Sequence, residues 1–266
     1  MALVPSTTTE DPNRQIQLTD PDSLEDGASK MSFLEHLEEL RRRLINSALS
    51  LVAGVFIAFF FLNRIVDFVL LPLRELLPEG SSFQTIEGPE YIILYLKIGL
   101  LAGLFVALPL ILWQVWLFIA PGLYAHEKRF AIPFVAMTSV FFFIGAAFAH
   151  YLAFPYSWDF FVKFQPEYVQ FMPRLGPTFS LYVKILLAFA LIFQMPTVVL
   201  FLARMGMVTP GFLVKHTKYA VLIIFILAAF LTPADVVSQF MMAGPMILLY
   251  GLSIGIAWVF GRRKPS

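Results

Sequence analysis

The sequence predicts an all-α integral membrane protein with six transmembrane helices, cytoplasmic N and C termini, and short last two helices. Three observations carry this. Hydrophobic residues make up 59% of the 266 residues and charged residues only 14%, where a soluble domain carries about a quarter. Apolar runs recur near 45–63, 92–117, 131–153, 179–203, 218–231 and 239–260, and a bilayer-crossing helix needs about 20 residues. Lysine and arginine are distributed unevenly over the connections between these runs.

Residues 1–30 are polar and acidic and read as a disordered tail. They lack the basic start and apolar core of a secretory signal, and their acidic residues argue against a transit peptide. Residues 31–260 form the transmembrane domain, and 261–266 are a basic cytoplasmic tail. The first four runs are long enough to span with ease. The fifth, YAVLIIFILAAFLT, is short, and the sixth is interrupted by Gly244-Pro245. Short spans imply local bilayer thinning or snorkelling at their ends. The connections 64–91 and 154–178 are long and proline-containing and read as irregular outer loops, whereas Thr232–Asp235 is a tight outer turn.

With six spans, one side collects Arg14, Lys30, Arg41, Arg42, Arg43, Lys128, Arg129, Arg204, Lys215, Lys218, Arg262, Arg263 and Lys264. The other has Arg64, Arg74, Lys97, Lys163, Arg174 and Lys184. Thirteen cations against six place the termini in the cytoplasm. The two halves share no convincing similarity, so the inverted repeat common in transporters finds no support. A net charge of +1 gives no reason to expect nucleic acid as a partner. The absence of cysteine excludes disulfides and thiolate chemistry. His36, His126, His150 and His216 lack metal-ligand spacing, and no phosphate-binding loop or nucleophile elbow appears. No metal, cofactor or enzymatic activity is therefore expected.

The stretch before the first span, MSFLEHLEELRRRL, carries the most information. Ser32 and Glu35 form a capping box, so a helix is predicted from about Phe33. Phe33, Leu37, Leu40 and Leu44 form an apolar stripe at helical spacing. Opposite lie Glu35, Glu38, Glu39, Arg42 and Arg43. The helix should lie along the membrane surface before turning inward. Two readings of its charged face stand at this point. Glu38–Arg42 and Glu39–Arg43 are i,i+4 pairs that could simply neutralise each other in solvent, or the carboxylates could receive a cationic ligand.

Three motifs bear on that choice. His36-Leu37-Glu38-Glu39-Leu40-Arg41-Arg42-Arg43-Leu44 resembles the H-L-x-E-L-R-x-R-L motif that opens the TatC family, the multispanning receptor subunit of the twin-arginine protein translocase. Gln114-Val115-Trp116-Leu117-Phe118-Ile119-Ala120-Pro121-Gly122-Leu123-Tyr124, followed by His126-Glu127-Lys128-Arg129, resembles that family's first cytoplasmic loop. Leu231-Thr232-Pro233-Ala234-Asp235-Val236-Val237-Ser238-Gln239 resembles its last outer turn. The resemblance covers 32–260 and excludes the acidic tail.

The resemblance implies a bacterial inner-membrane receptor for folded cargo proteins whose signal peptides carry consecutive arginines. Its functional positions map onto Glu39, Arg41 and Arg43, and onto Phe118, Pro121, Tyr124 and Glu127. Glu39 and Glu127 are the implied contacts to the arginine pair, with Glu38 a spare carboxylate nearby. The chemistry is sensible in itself. A guanidinium prefers a planar, bidentate carboxylate. Adjacent side chains of an extended peptide point to opposite faces, so two neighbouring arginines need acceptors from two segments. The family also implies recruitment of small single-span TatA/TatB-type subunits, assembly into homo- or hetero-oligomers, and drive from the proton-motive force.

Other polar positions have local explanations beside functional ones. Gln194 sits deep in the fourth span before Pro196, which should open the helix. Its side chain either satisfies the backbone that Pro196 frees or bonds a partner helix. The family often has glutamate there; glutamine cannot titrate. Gln114 is similar. Thr232, Pro233 and Asp235 read as the cap of the last span, with Gln239 following in the same motif, and Thr209-Pro210 repeats the cap before the fifth. Lys97 and Lys184 should snorkel from near the outer span ends. A small-solute secondary transporter is the alternative function, and a structural membrane scaffold a third.

Overall fold

A computed structural model of the chain describes residues 21–77, 82–119, 131–166, 172–232 and 236–261, with side chains from Glu35 onward except those of Ile119 and Ala131. Nine α-helices occur among them: α1 (Pro21–Phe60), α2 (Leu62–Glu75), α3 (Glu90–Ile119), α4 (Ala131–Phe148), α5 (Phe154–Lys163), α6 (Leu175–Ile192), α7 (Met195–Arg204), α8 (Pro210–Leu231) and α9 (Val236–Phe260). A single π turn, Ala149–Ala153, joins α4 to α5. Six apolar stretches of 22 to 32 residues are long enough to cross a membrane. They are contributed by α1, α3, α4 with α5, α6 with α7, α8 and α9, in the predicted order. Large apolar side chains such as Phe230 and Trp258, each 78% exposed, face outward, as lipid rather than water surrounds the bundle.

Several boundaries differ from expectation. α1 begins at Pro21 rather than near Phe33, with a proline in the first turn where its missing N–H costs nothing. The acidic tail is therefore helical from residue 21, and α1 runs on unbroken with no turn between surface segment and span. The connection 64–91 is not wholly irregular, because α2 fills its first part. Leu62, Val66, Val69, Leu70 and Leu73 are buried on one face of α2, a helical periodicity that Pro72 and the polar flanks obscured. The third span continues through Lys163, since the π turn precedes Pro155 and absorbs its lack of an N–H. The last two spans are indeed the shortest, at 22 and 25 residues against 26 to 32. They still exceed the apolar runs that suggested them. Thr209 caps α8 by accepting a hydrogen bond from Phe212 N at 3.2 Å, and α9 passes through Pro245 without a break.

The fourth span opens where Pro196 requires it. α6 ends at Ile192 and α7 begins at Met195. The buried centre of the bundle is formed by Tyr182, Ile185 and Phe189 of α6 with Phe154 of α5 and Met242 and Met246 of α9. At the bundle end remote from Glu39, here the far end, the two long connections are fastened together. Gln84 N donates to Pro173 O at 3.0 Å and Leu175 N to Gln84 O at 3.2 Å. Glu90 accepts from Ile86 N at 3.0 Å and from Gly176 N at 3.1 Å.

The most extensive helix pair is α1 against α3, and two glycines allow it. A Cβ on Gly54 would lie 2.5 Å from the Gly103 carbonyl oxygen, and one on Gly103 would lie 2.5 Å from Val55 Cα. Small residues let helix backbones meet in a bilayer, where apolar burial gives little drive to associate. Gly103→Ala should therefore cost about 1–3 kcal/mol through overpacking, read as a lower thermal unfolding midpoint in detergent. Gly251→Ala, where a Cβ meets nothing within 4 Å, should leave the midpoint unchanged.

Candidate functional site

The glycine contact sets the register of the antiparallel pair. Gly54 of α1 meets Gly103 and Ala107 of α3. Followed away from the far end, the same register brings position 43 to 114 and position 36 to 118. His36, Glu39 and Arg43 stand at i, i+3 and i+7, one face of α1, and Gln114 and Phe118 at i, i+4 on α3.

The contacts follow that register. Arg43 Nη2 donates to Glu39 Oε1 at 3.2 Å, and Arg43 Nη1 donates to Gln114 Oε1 at 3.4 Å. The His36 ring stacks on Phe118 with centroids 4.5 Å apart and an interplanar angle of 22°. α3 covers one flank of the ion pair, leaving Arg43 and Glu39 side chains 24% and 26% exposed. Glu39 Oε2 has no partner among the described residues. The result is a half-buried carboxylate, oriented through one oxygen and open at the other. Its charge is shared with Arg43, so its attraction for a further cation is short-ranged and directional rather than a broad field.

The predicted residues sort clearly. The structure brings together Glu39, Arg43, Gln114 and Phe118. Arg41 and Glu38 are exposed on other sides of α1, and the Glu38–Arg42 pair does not form. Pro121, Tyr124 and Glu127 lie outside the described residues, as do Pro233 and Asp235. Thr232 closes α8, its hydroxyl donating to Ala228 O at 3.0 Å. Gln239 Nε2 donates to Phe225 O at 2.9 Å, tying α9 to α8. Gln194 Nε2 donates to Thr138 O on α4 at 3.1 Å, so its amide serves a neighbouring helix rather than the carbonyls that Pro196 frees. Its Oε1 is buried without a hydrogen-bond partner among the described residues.

Two contacts escaped the sequence reading. Gln114 stood there as an intramembrane polar residue, and it proves to hold Arg43. His36 stood as one of four scattered histidines, and it proves to pack on Phe118. The matching spacings, 36/39/43 and 114/118, were visible signals. The register that aligns them was not.

The model of the family described as Sec-independent protein translocase protein (TatC) matches residues 35–245. The chain belongs to the TatC family. It is 43% identical over 237 residues to the Sec-independent protein translocase protein TatC of Desulforapulum autotrophicum, covering 89% of this chain and 88% of the relative. It is 40% identical to TatC of Campylobacter jejuni, covering 82% and 90%. A crystal structure of the twin-arginine translocase receptor TatC superposes with a TM-score of 0.75 at 34% identity, covering 85% of this chain and 100% of that one. TatC membership makes this chain a translocase component and a multi-pass inner-membrane protein. It sets aside the small-solute transporter and the passive scaffold.

The bond between Gln114 and Arg43 has a measurable consequence. Gln114→Leu leaves a half-buried guanidinium donor unmet on the α3 side, which costs about 1–3 kcal/mol. The variant should unfold at lower temperature in detergent. Gln114→Glu, which keeps an acceptor and adds an ion pair, should unfold close to the wild-type temperature.

Proposed function

We propose that this TatC protein is the receptor that docks twin-arginine signal peptides of folded cargo proteins at the cytoplasmic face. The observation that carries the reading is the half-buried Glu39 carboxylate, steered by Arg43 and Gln114, with one oxygen that meets no partner among the described residues. One arginine of the pair binds Glu39. Its neighbour, pointing the opposite way along an extended peptide, binds Glu127 on the connection that follows α3. Phe118, stacked on His36, offers an apolar edge beside the first arginine, with Pro121 and Tyr124 on the same connection. Glu38 and Arg41 stand at the exposed rim. Both termini lie in the cytoplasm, as the thirteen-to-six asymmetry of cations supports. No catalytic step is assigned to any residue; the proton-motive force drives transport.

Glu39→Ala and Glu127→Ala should each weaken binding of a twin-arginine peptide to the purified protein by about 2 kcal/mol or more, as truncating one partner of a charge pair that the bound peptide desolvates does. Glu87→Ala, on the far-end connection, is the matched control. Wild-type affinity in both variants would leave Glu39–Arg43 as a surface ion pair and nothing more.

The same reading includes recruitment of small single-span TatA/TatB-type subunits against the fourth and fifth spans. The unpartnered Oε1 of Gln194 is the acceptor left for such a helix, reached by turning the side chain. Intramembrane bonds of this kind average about 0.6 kcal/mol. Gln194→Leu should therefore reduce co-purification of a small subunit modestly and leave peptide binding intact. Unchanged co-purification combined with failed export would place the role of Gln194 in holding α7 to α4 instead.

A further inference from the structure

The far end of the α1–α3 pair carries a second feature. α6 touches α3 only lightly, and a crevice of about 480 Å³ opens between α1, α3 and α6, within the about 300–1,000 Å³ range of pockets that hold one small molecule. Leu51 and Val55 of α1, Leu101 and Leu104 of α3, and Phe179 and Val183 of α6 form its apolar walls, and among the described residues Lys97 is the single charged one that lines it. Lys97 is exposed, and no ion pair or side-chain hydrogen bond engages it among the described residues.

Depth decides what such a crevice can hold. The span from Glu90 to Phe118 has 29 residues, about 43 Å of helix at about 1.5 Å per residue, around a hydrocarbon layer about 30 Å thick. Centred, it projects about 6 Å beyond each boundary. Lys97 lies about 10 Å from the Glu90 end, so it sits just beneath the headgroups, within reach of a snorkelling ammonium. Leu104 lies about 21 Å in. The crevice thus runs down one leaflet from headgroup level towards the midplane.

We propose that this crevice binds one anionic phospholipid of the far-end leaflet, its phosphate on the Lys97 ammonium and an acyl chain along the α1–α3–α6 walls. Lys97, with no ion-pair partner among the described residues, offers an anion a complementary charge at that level, and a phospholipid carries its phosphate there. A transmembrane helix would have to bring a carboxylate into the apolar layer at a cost. A free phosphate would leave the walls uncovered.

The test uses the full chain reconstituted into vesicles of equal parts phosphatidylcholine and phosphatidylglycerol, extracted mildly, with the retained lipid quantified. The wild type should retain phosphatidylglycerol in preference. Lys97→Gln should reduce that preference about fivefold, the worth of one basic residue near the membrane surface, and Lys97→Arg should preserve it. Lys184→Gln, at similar depth on α6 but outside the crevice, should leave it unchanged. Leu104→Trp, which fills the crevice below an intact Lys97, should expel the lipid, and added inorganic phosphate should not compete. The proposal is overturned by undiminished preference in Lys97→Gln or by equal loss in Lys184→Gln, which would mean general surface charge. Displacement by inorganic phosphate would overturn it too. So would a Leu104→Trp protein that keeps its lipid but loses a co-purifying membrane-spanning subunit.

Discussion

The close approach of α1 to α3 at Gly54 and Gly103 governs both ends of this molecule. Backbone contact at 2.5 Å from where a side chain would begin leaves the two helices no freedom to slide. Once that point is fixed, helical geometry fixes the rest. At one end Arg43 must fall beside Gln114 and His36 beside Phe118. At the other, α1 and α3 together form two walls of the Lys97 crevice. A bilayer offers little hydrophobic drive for helices to associate, so such alignment has to come from packing of small residues and from a few polar contacts.

The remaining elements keep that pair in place. Glu90, the first residue of α3, receives one backbone N–H from the connection before it, at Ile86, and one from the first turn of α6, at Gly176, so α3 is held at its far end as well as along its length. α2 adds a buried apolar face beside it, and the side chain of Asn63 on α2 bonds Tyr95 of α3. Near the first turns of the third span's far half, His150 is buried against Tyr182 at 2.8 Å and under Phe68, which ties the π turn to α6 and α2. These far-end contacts thus support geometry at the motif end, where the proposed docking of an arginine needs a carboxylate held in one orientation rather than sampling many.

What was legible in the sequence was local. Six spans in order, the break before Pro196, the Thr209 cap and the Glu39–Arg43 pair all follow from spacing or turn chemistry within one segment. Glu38–Arg42 has the same spacing as Glu39–Arg43 and does not form. The difference is that α3 covers Arg43 and supplies Gln114, while Glu38 and Arg42 remain in the open, where such pairs gain little. That distinction depends on a neighbour some seventy residues away in sequence, which no i,i+4 rule contains. α2 was missed for another reason: Pro72 and charged flanks masked a periodic apolar face. Gly54 and Gly103, single glycines inside apolar runs, were the signal that could have set the register, had they been paired with each other.

Because the chain contains no cysteine, the α1–α3 register can be measured directly. His36→Cys with Phe118→Cys, in the protein held in bilayers, should be joined within one chain by a short thiol-reactive crosslinker. His36→Cys with Leu110→Cys, displaced two turns along α3, should not be. Crosslinking at position 110 in place of 118 would mean a different register, and would remove both the Gln114 support of Arg43 and the placement of Glu39 on which the proposed docking site rests.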